Sequence, residues 1–390
     1  MARKSKGQER DELISSVYDV INSSDTAFGA YFLDDPEWNP SDITDWVSIG
    51  DPIMDIIISN RKNGGIPVGR ITEIAGLEST GKSLIGHHIL LETQKKNGVP
   101  VLIDTEHSAD RQFMKSIGLD LGKMIYAPIP VIEDAFQTME NIIENVRKSN
   151  SDKLVTIILD SVMGATNKTE DEANYDKSGY ATQKAIILSQ AMRKIAKTIA
   201  QQKIALIFTN QLRSNVGVTF GDPWTTSGGK AIPFHASLRL RLKIMSKLKS
   251  GQDIIGVRGN CKVIKSKLGP SFKSCDYDMY FDRGLDSSTT WFETGKKFEA
   301  IVKAKKLEDE TQPEGPKNKY KEVKGWFMID GDPDMLKFQP STFEETILNN
   351  PEKKKLIYDN LADKIIMKYV DRNTEHIDKS KITVDDKLDD

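Results

Sequence analysis

Apolar residues along the chain follow three successive patterns, each typical of a different kind of structure. In residues 8–23, "QERDELISSVYDVINS", apolar side chains from Leu13 to Ile21 recur at helical spacing. This spacing predicts an amphipathic helix. Because the apolar stripe of such a helix is stable only when it is covered, we expect it to pack on a partner.

The second pattern alternates short apolar runs with helical segments. Strands are expected within 66–76, 99–106, 153–161 and 203–211, and helices from 82 to about 96, around 133–148 and around 180–202. The strand runs are rich in Ile, Leu and Val and end in polar residues, as in parallel strands buried on both faces. The chain is therefore predicted to have an α/β fold with a mainly parallel central sheet.

The third pattern is strict alternation of apolar and polar residues, in 237–245, 260–267 and 272–281. It predicts added antiparallel strands on one side of the sheet. Residues 308–324 combine proline, glycine and charge, which predicts a loop inside a smaller C-terminal unit of mixed helix and strand that ends near Val370.

Composition narrows the function classes only slightly. No apolar run reaches the ~18 residues of a membrane span, and the N-terminus lacks the apolar centre of a signal peptide, so a cytoplasmic protein is expected. With 55 basic and 57 acidic side chains, the net charge of −2 does not indicate a nucleic-acid binder. The local distribution of charge must decide that question. Cys261 and Cys275 are expected to be buried neutral thiols.

The stretch "EIAGLESTGKS" has the spacing G-x-x-x-x-G-K-S between a predicted strand and a predicted helix. Its eight residues are Gly76, Leu77, Glu78, Ser79, Thr80, Gly81, Lys82 and Ser83. Glycines let the backbone wrap around phosphate oxygens, the lysine contributes a positive charge, and the serine hydroxyl can coordinate Mg²⁺. The alternative is a glycine turn that only caps a structural helix.

Three other predicted strands end in residues suited to nucleotide chemistry. Asp160 can hold Mg²⁺ through its water shell, and Glu106 can orient or deprotonate the water that attacks the γ-phosphate. Gln211 can sense the γ-phosphate and move the segment that follows it. For Glu106, a solvated acid at a strand end remains the alternative.

The segment after Gln211, "LRSNVGVTFGDPWTTSGGKAI" (212–232), is long, polar and rich in glycine. Loops of this length inside a compact domain are usually functional or disordered. Its amides and cations suit a phosphodiester chain, and its aromatic residues suit stacking between bases. The candidate DNA contacts are Arg213, Phe220 or Trp224, Gly228, Gly229 and Lys230. A plain mobile lid is the alternative.

Another candidate loop, 163–181, is the first of the two along the chain, and 212–232 is the second. The first loop carries an acidic cluster that argues against phosphate contact by the whole loop. It precedes a helix that contains Lys184 and Arg193. Further on, Lys265 and Lys267 lie two residues apart on a predicted strand. Two like charges on one face are unfavourable unless an anion lies between them, so the pair suggests an anion site. If both lysines face solvent, the pair does not indicate a binding site.

Six segments together resemble bacterial RecA and related phage recombinases, in the same order and at similar spacing. They are "EIAGLESTGKS", "LIDTEHSAD", "ILDSV", "SQAMRKIA", "IFTNQLRSNVGVTFGDPWTTSGGKAI" and "KVIKSKLGPSF". The resemblance covers about residues 46–285. It implies an ATP-driven recombinase that forms a helical filament on single-stranded DNA and exchanges strands with double-stranded DNA.

The resemblance also implies roles for single residues. Glu106 activates water, Asp160 supports Mg²⁺ and Gln211 links the γ-phosphate to the DNA loop. Asp110, Phe113 and Phe281 correspond to adenine contacts. Lys265 and Lys267 correspond to lysines that reach the ATP site of the neighbouring subunit, which supplies the anion that two adjacent cations need. Arg193 corresponds to a DNA contact, whereas another family arginine falls near Lys184 or Ile186.

Four regions follow from these patterns and the resemblance. They are an N-terminal helical oligomerisation arm and linker (1–45), a RecA-like P-loop ATPase core with DNA-binding loops (46–285), a small α/β C-terminal domain (286–370) and an acidic flexible tail (371–390). The expected cofactors are ATP and Mg²⁺. The expected partners are DNA, further copies of this chain, and single-strand-binding and mediator proteins, in the host cytoplasm if a phage encodes the chain; no membrane partner is expected.

Two alternatives share the same core. A hexameric helicase would form a closed ring and normally carry an arginine finger, and the lysine pair favours a filament instead. An ATP-binding recombination mediator would not need hydrolysis. The presence of Lys82, Glu106 and Asp160 argues against an inactive ATPase.

Overall fold

The computed structural model describes residues 11–23, 30, 32, 43–149, 153–171, 180–199, 202–214, 224–307 and 320–369. The chain divides into two compact units, Met1–Asp42 and Ile43–Asp390. The division into four regions predicted from the sequence stays a prediction, and the acidic tail at 371–390 lies outside the described residues.

The first unit contains the helix α1 (Glu12–Ser23). The Asn22 side chain hydrogen-bonds the backbone of Ala30, and the ring of Tyr18 stacks on Phe32 with 4.7 Å between centroids. The predicted apolar stripe is exposed, with Leu13 at 71%. The sequence prediction of an amphipathic helix is confirmed for its described part.

The second unit is built from strands and helices in alternation. Its strands are β1 (Trp46–Val47), β2 (Ile66–Pro67), β3 (Ile71–Gly76), β4 (Val99–Asp104), β5 (Ile125–Pro128), β6 (Val155–Asp160), β7 (Ile204–Ser214), β8 (Trp224–Thr226), β9 (Leu238–Ser250), β10 (Asp253–Ser266), β11 (Ser274–Tyr280), β12 (Gly284–Asp286), β13 (Ile301–Leu307) and β14 (Tyr320–Ile329).

The helices of this unit mostly follow the strands on which they pack. They are α2 (Pro52–Ser59), α3 (Lys82–Lys95), α4 (Arg111–Ser116), α5 (Ile132–Lys148), α6 (Lys168–Asp171), α7 (Tyr180–Ile199), α8 (Ala231–His235), α9 (Ser287–Lys297) and α10 (Pro351–Ile365). No described helix is long and apolar enough to cross a membrane.

The central sheet has the order β12-β11-β10-β9-β3-β7-β6-β4-β5, and β8 pairs with β7. All strand pairs from β9 through β3 to β5 are parallel. The pairs β9-β10, β10-β11 and β11-β12 are antiparallel. The predicted α/β class, with a mainly parallel sheet and added antiparallel strands on one side, is confirmed.

Both faces of the inner parallel strands β3, β4, β6 and β7 are buried, which explains their unbroken apolar runs, whereas β5 at the edge of the sheet is mostly exposed. On β4, Leu102 packs into the core on one face of the sheet, while Val101 and Ile103 pack into the core on the other face. Successive side chains of a strand point to opposite faces, so a strand covered on both sides is apolar throughout.

Two loop predictions were too long. The predicted loop 212–232 begins inside β7, which continues to Ser214 and pairs with β8 in an antiparallel hairpin. The predicted loop 308–324 ends earlier, because β14 begins at Tyr320 opposite Leu307. Polar composition suggested loops, yet backbone pairing with a neighbouring strand stabilises these polar ends as strands.

Cys261 and Cys275 face each other in the β10-β11 register, and both thiols are free and buried. Burial raises the pKa of Cys261 to about 12 and also raises the pKa of Cys275. The prediction of buried neutral thiols is confirmed.

A buried carboxylate caps α2. Asp51 is fully buried, and its Oδ1 accepts hydrogen bonds from the Ile53 and Met54 amides, each at 2.8 Å. Its Oδ2 has no hydrogen-bond partner in the described part of the chain. Burial raises the pKa of Asp51 to about 6, because the charged carboxylate loses its hydration in the core, and the hydrogen bonds to the carboxylate only partly oppose this shift.

Candidate functional site

The glycine-rich turn joins the buried strand β3 to helix α3, at the carboxyl edge of the sheet. Leu77, Glu78 and Ser79 are exposed along it. At Gly76, an added Cβ would lie 2.4 Å from Thr80 Oγ1. Gly81 has a φ of 86°, in the left-handed region that favours glycine. The geometry of the turn therefore requires the two motif glycines.

Lys82 begins α3 and turns back over the loop. Its Nζ donates to the carbonyl oxygens of Leu77 at 2.7 Å and Gly76 at 3.2 Å. Burial lowers the pKa of Lys82, and the carboxylates of Asp160 and Glu106 oppose that shift. One ammonium group thus lies within electrostatic reach of both predicted active-site acids. Phosphate oxygens are stronger hydrogen-bond acceptors than the loop carbonyls.

Ser83 and Asp160 are the predicted magnesium residues. Ser83 is half-buried in the first turn of α3, and Asp160 is the last residue of β6. The Asp160 carboxylate accepts a hydrogen bond from Thr209 Oγ1 at 2.5 Å. A hydroxyl and one carboxylate fit Mg²⁺, which usually takes its other ligands from water and substrate phosphates.

Glu106 is exposed just beyond the end of β4. Its carboxylate accepts a hydrogen bond from Ser161 Oγ, one residue after Asp160. At Gly164, an added Cβ would lie 2.2 Å from Glu106 Cγ, so the neighbouring turn is closed tightly over this side chain. Only a glycine at 164 leaves room for the Glu106 side chain in this position.

Sequence reasoning missed Asp104, the last residue of β4. It is 2% exposed, and its two oxygens accept hydrogen bonds from the Glu106 amide at 3.0 Å, the Ala109 amide at 3.0 Å and the Tyr126 hydroxyl at 3.1 Å. These bonds fix the turn that carries Glu106. The available signal is its place at the end of the "VLID" run, two residues before Glu106.

Gln211 lies beside the phosphate loop. In the parallel pairing of β3 with β7, Gln211 is the register partner of Gly76. It was expected at a strand end, but β7 continues three residues further to Ser214. The strand is longer because Leu212 is buried and the residues after Gln211 pair with β8. One strand therefore runs from the phosphate loop to the predicted DNA loop.

The residues predicted to contact adenine occupy different environments. Asp110 caps α4, accepting the amides of Gln112 at 2.8 Å and Phe113 at 3.0 Å. Phe113 is 5% exposed and packs near the His87 and His88 rings, whereas Phe281 is 51% exposed just after β11. Only Phe281 presents an open ring.

Sequence reasoning also missed His88, which connects α3 to the segment after Phe281. Its Nε2 accepts a hydrogen bond from the Leu285 amide at 2.9 Å. Burial lowers the pKa of His88 to about 4, so the imidazole is neutral near pH 7. The helix that begins at the phosphate loop is thereby hydrogen-bonded to the strand that follows the open aromatic ring.

The second predicted DNA loop is described at both ends. Arg213 is exposed near the end of β7, and Lys230 is exposed just before α8. Gly228 and Gly229 have φ values of 86° and 74°. Phe220 lies outside the described residues, and Trp224, the other aromatic candidate, is half-buried in β8.

Helix α7 carries the other predicted DNA contact. Arg193 is exposed, and its Nη1 donates to Ser189 Oγ at 3.3 Å. Lys184 is not oriented toward solvent, because its Nζ donates to the carbonyl oxygens of Met163, at 3.0 Å, and Ala165. Ile186, the other position near the family's arginine, is 53% exposed.

The lysine pair lies at the end of β10. Lys265 Nζ donates to the carbonyl oxygens of Pro233 at 2.6 Å and Phe234 at 2.9 Å, at the end of α8. Lys267 is exposed and follows the last residue of the strand. Burial and the charge of Lys267 lower the pKa of Lys265, so the two ammonium groups interact.

Comparison with known proteins agrees with this geometry. Residues 36–286 match the family described as RecA N-terminal domain. The chain is 35% identical to Protein RecA of Clostridium acetobutylicum over 260 residues, which is 67% of this chain and 72% of that relative.

Two further relatives give the same result. Identity to Protein RecA of Symbiobacterium thermophilum is 36% over 232 residues, which is 60% of this chain and 64% of the relative. Identity to Protein RecA of Clostridium botulinum is 38% over 241 residues, 62% of this chain and 66% of the relative. The chain thus spans slightly less than two thirds of the length of these two relatives. Because the family match covers more than half of it, the chain belongs to the RecA family, whose members are ATP-dependent DNA recombinases and DNA-dependent ATPases.

Proposed function

We propose that this chain forms a nucleotide-dependent helical filament on single-stranded DNA and catalyses homologous pairing and strand exchange with double-stranded DNA. The observation that carries the proposal is the register of β3 with β7, which places Gln211 beside Gly76 on a strand that leads directly to Arg213. A nucleotide at the phosphate loop and DNA at the second loop are then in contact with one continuous strand.

At the nucleotide, the backbone from Gly76 to Ser83 holds the phosphates, and Lys82 exchanges its carbonyl partners for phosphate oxygens. Ser83 and Asp160 would hold Mg²⁺, which would supply positive charge to the phosphates. Glu106 accepts the proton of the attacking water or orients it, and Asp104 keeps Glu106 in place through the turn between them.

At the DNA, Arg213, Lys230 and the amides of Gly228 and Gly229 bind the phosphodiester backbone of a single strand. Arg193 adds a charge from α7. Such contacts carry no sequence information, so base pairing between the two DNA molecules selects the homologous partner. Affinity for DNA therefore depends strongly on salt.

In the filament, Lys265 and Lys267 of one protomer contact the nucleotide bound by the next protomer. The exposed stripe of α1 packs on an adjacent copy of this chain, which removes its apolar side chains from water. Asp110, Phe113 and Phe281 surround the adenine. Single-strand-binding and mediator proteins act on the same filament in the cytoplasm.

Electron microscopy with single-stranded DNA and a slowly hydrolysed ATP analogue tests this proposal. Open helical filaments are expected with nucleotide and DNA together, and far fewer with either one alone. Discrete six-membered rings would favour a hexameric motor, and the absence of any assembly would contradict the proposal.

A further inference from the structure

The entrances to both predicted DNA loops meet at the side chain of Met163. This half-buried residue lies in the turn after β6. Its Sδ accepts hydrogen bonds from Arg213 Nη2 at 3.1 Å and from Ser227 Oγ at 2.8 Å. Arg213 lies near the start of the second loop, and Ser227 lies near its end, just after β8. The Met163 thioether therefore contacts both ends of the second loop, and Met163 is itself the first residue of the first loop.

Lys184 of α7 hydrogen-bonds the backbone of the turn that contains Met163. Its Nζ donates to the carbonyl oxygens of Met163, at 3.0 Å, and Ala165. Burial lowers the pKa of Lys184, the charge of Arg213 lowers it further, and that of Glu170 opposes the shift. The Lys184 ammonium group thus binds two backbone carbonyl groups at the start of the first loop and orients them.

The C-terminal end of the second loop, at Ser227 and Gly228, packs against the same helix α7 and is hydrogen-bonded to the sheet. At Gly228, an added Cβ would lie 2.3 Å from Leu188 Cδ1, so this glycine lies directly against α7. Asn210 Nδ2 donates to the Ser227 carbonyl at 3.0 Å and to the buried carboxylate of Glu73 at 3.0 Å. Ser227 is therefore held by the sheet through its backbone and by Met163 through its hydroxyl.

We propose that Lys184 is a positioning residue that sets where the first loop begins relative to the two ends of the second loop, by fixing the Met163 turn; this inference rests on the proposed DNA-binding function of those loops. A thioether is a weak hydrogen-bond acceptor, whereas a phosphate is a strong one. Met163 therefore holds the Arg213 guanidinium near the loops in the absence of DNA and releases it readily to a phosphodiester.

The test compares Lys184→Met with Lys194→Met. Lys194 lies on the same helix, and its exposed Nζ pairs with Glu140, so its replacement removes the same charge away from the loops. In the DNA-free protein, Lys184→Met is expected to accelerate amide hydrogen exchange in 161–171 and 224–230, and Lys194→Met is not. Lys184→Arg keeps the positive charge and can still donate to both carbonyl oxygens, so it is expected to restore most of the protection.

With DNA, Lys184→Met is expected to raise the single-stranded DNA concentration for half-maximal ATP hydrolysis about fivefold, the effect of losing roughly one hydrogen bond. The DNA-saturated rate and the salt dependence of binding should stay unchanged, because Lys184 itself contacts no phosphate. A flatter salt dependence would identify a direct DNA contact and overturn the inference.

Unchanged hydrogen exchange in both segments would also overturn it, whether or not the chain binds DNA. Failure of the wild-type chain to bind single-stranded DNA with ATP would instead contradict the proposed function. If Lys184→Met does not fold, Met163→Leu gives a second measurement. It keeps the backbone carbonyl but removes the sulfur acceptor, and faster exchange confined to 224–230 is expected; no change there would contradict the role of Met163.

Discussion

Gln211 and Gly76 are register partners in adjacent parallel strands, so the strand that ends in the glycine-rich turn is paired directly with the strand that leads to the second predicted DNA loop. Under the proposed function, a change at the γ-phosphate would reach Arg213, two residues further along β7, through a single strand. Coupling of this kind needs an element that both ligands contact.

Replacing Gln211 by Ala should abolish the effect of bound nucleotide on DNA affinity while leaving nucleotide binding itself intact. We expect ATP affinity to change little, because the phosphates are held by Lys82 and the loop amides. The increase in single-stranded DNA affinity caused by a slowly hydrolysed ATP analogue should be lost. Fluorescence anisotropy of a labelled oligonucleotide, with and without the analogue, measures this increase, and a wild-type increase in the variant would contradict the role of Gln211.

Replacing Glu106 by Gln should leave binding intact and slow hydrolysis. The amide still accepts the Ser161 hydroxyl hydrogen bond but cannot take a proton, so we expect turnover to fall by about 100-fold or more. Filaments should persist longer for the same reason. Steady-state phosphate release measures turnover, with Glu352→Gln on α10 as the matched control. Normal turnover in Glu106→Gln would move the catalytic role elsewhere.

Mixing two inactive variants tests whether the nucleotide site is shared between protomers. Lys82→Ala removes the phosphate-loop cation, and the double variant Lys265→Ala, Lys267→Ala removes the lysines proposed to act on the neighbour. In an equimolar random filament about a quarter of the interfaces combine an intact loop with intact lysines. DNA-dependent ATP hydrolysis should therefore reappear on mixing. Continued inactivity of a mixture that co-assembles would place those lysines outside the neighbour's site.

Asp51→Asn tests the buried cap of α2 through its pH dependence. The folded-state pKa of Asp51, about 6, is raised above its ordinary value of 3.8, so its stabilising effect is present at low pH and is lost as pH rises through 6. Asparagine caps a helix equally well and does not titrate. The free energy of unfolding of the variant, relative to wild type, should thus be higher at pH 7 than at pH 4 by up to about 3 kcal/mol. Urea unfolding at both pH values measures the difference, and an equal offset would contradict the assignment.

The sequence was sufficient for the α/β class and for the strand and helix that flank the glycine-rich turn, because both depend on local patterns. The spacing from Gly76 to Ser83 defines a turn, and unbroken apolar runs define strands covered on both faces. The extension of β7 past Gln211 was missed, because its polar residues are stabilised by pairing with β8, which is a contact between separate segments.

The side-chain contacts around the site also could not be predicted from the sequence. Asp104, His88 and Lys184 each hold a segment distant from them in the chain, and no spacing rule indicates such partners. The charge of Lys265 makes it a candidate in the sequence, yet only the structure shows its ammonium group hydrogen-bonded to the carbonyl oxygens of Pro233 and Phe234 at the end of α8.

Strand exchange itself is the most direct test of the account. Purified chain, ATP, Mg²⁺ and a single-stranded oligonucleotide are incubated with a labelled homologous duplex, and displacement of the labelled strand is followed on a gel. We expect displacement that requires ATP and homology and that is abolished by Lys82→Ala. Displacement that is equal with Lys82→Ala, or none by the wild-type chain on DNA that it demonstrably coats, would contradict the account.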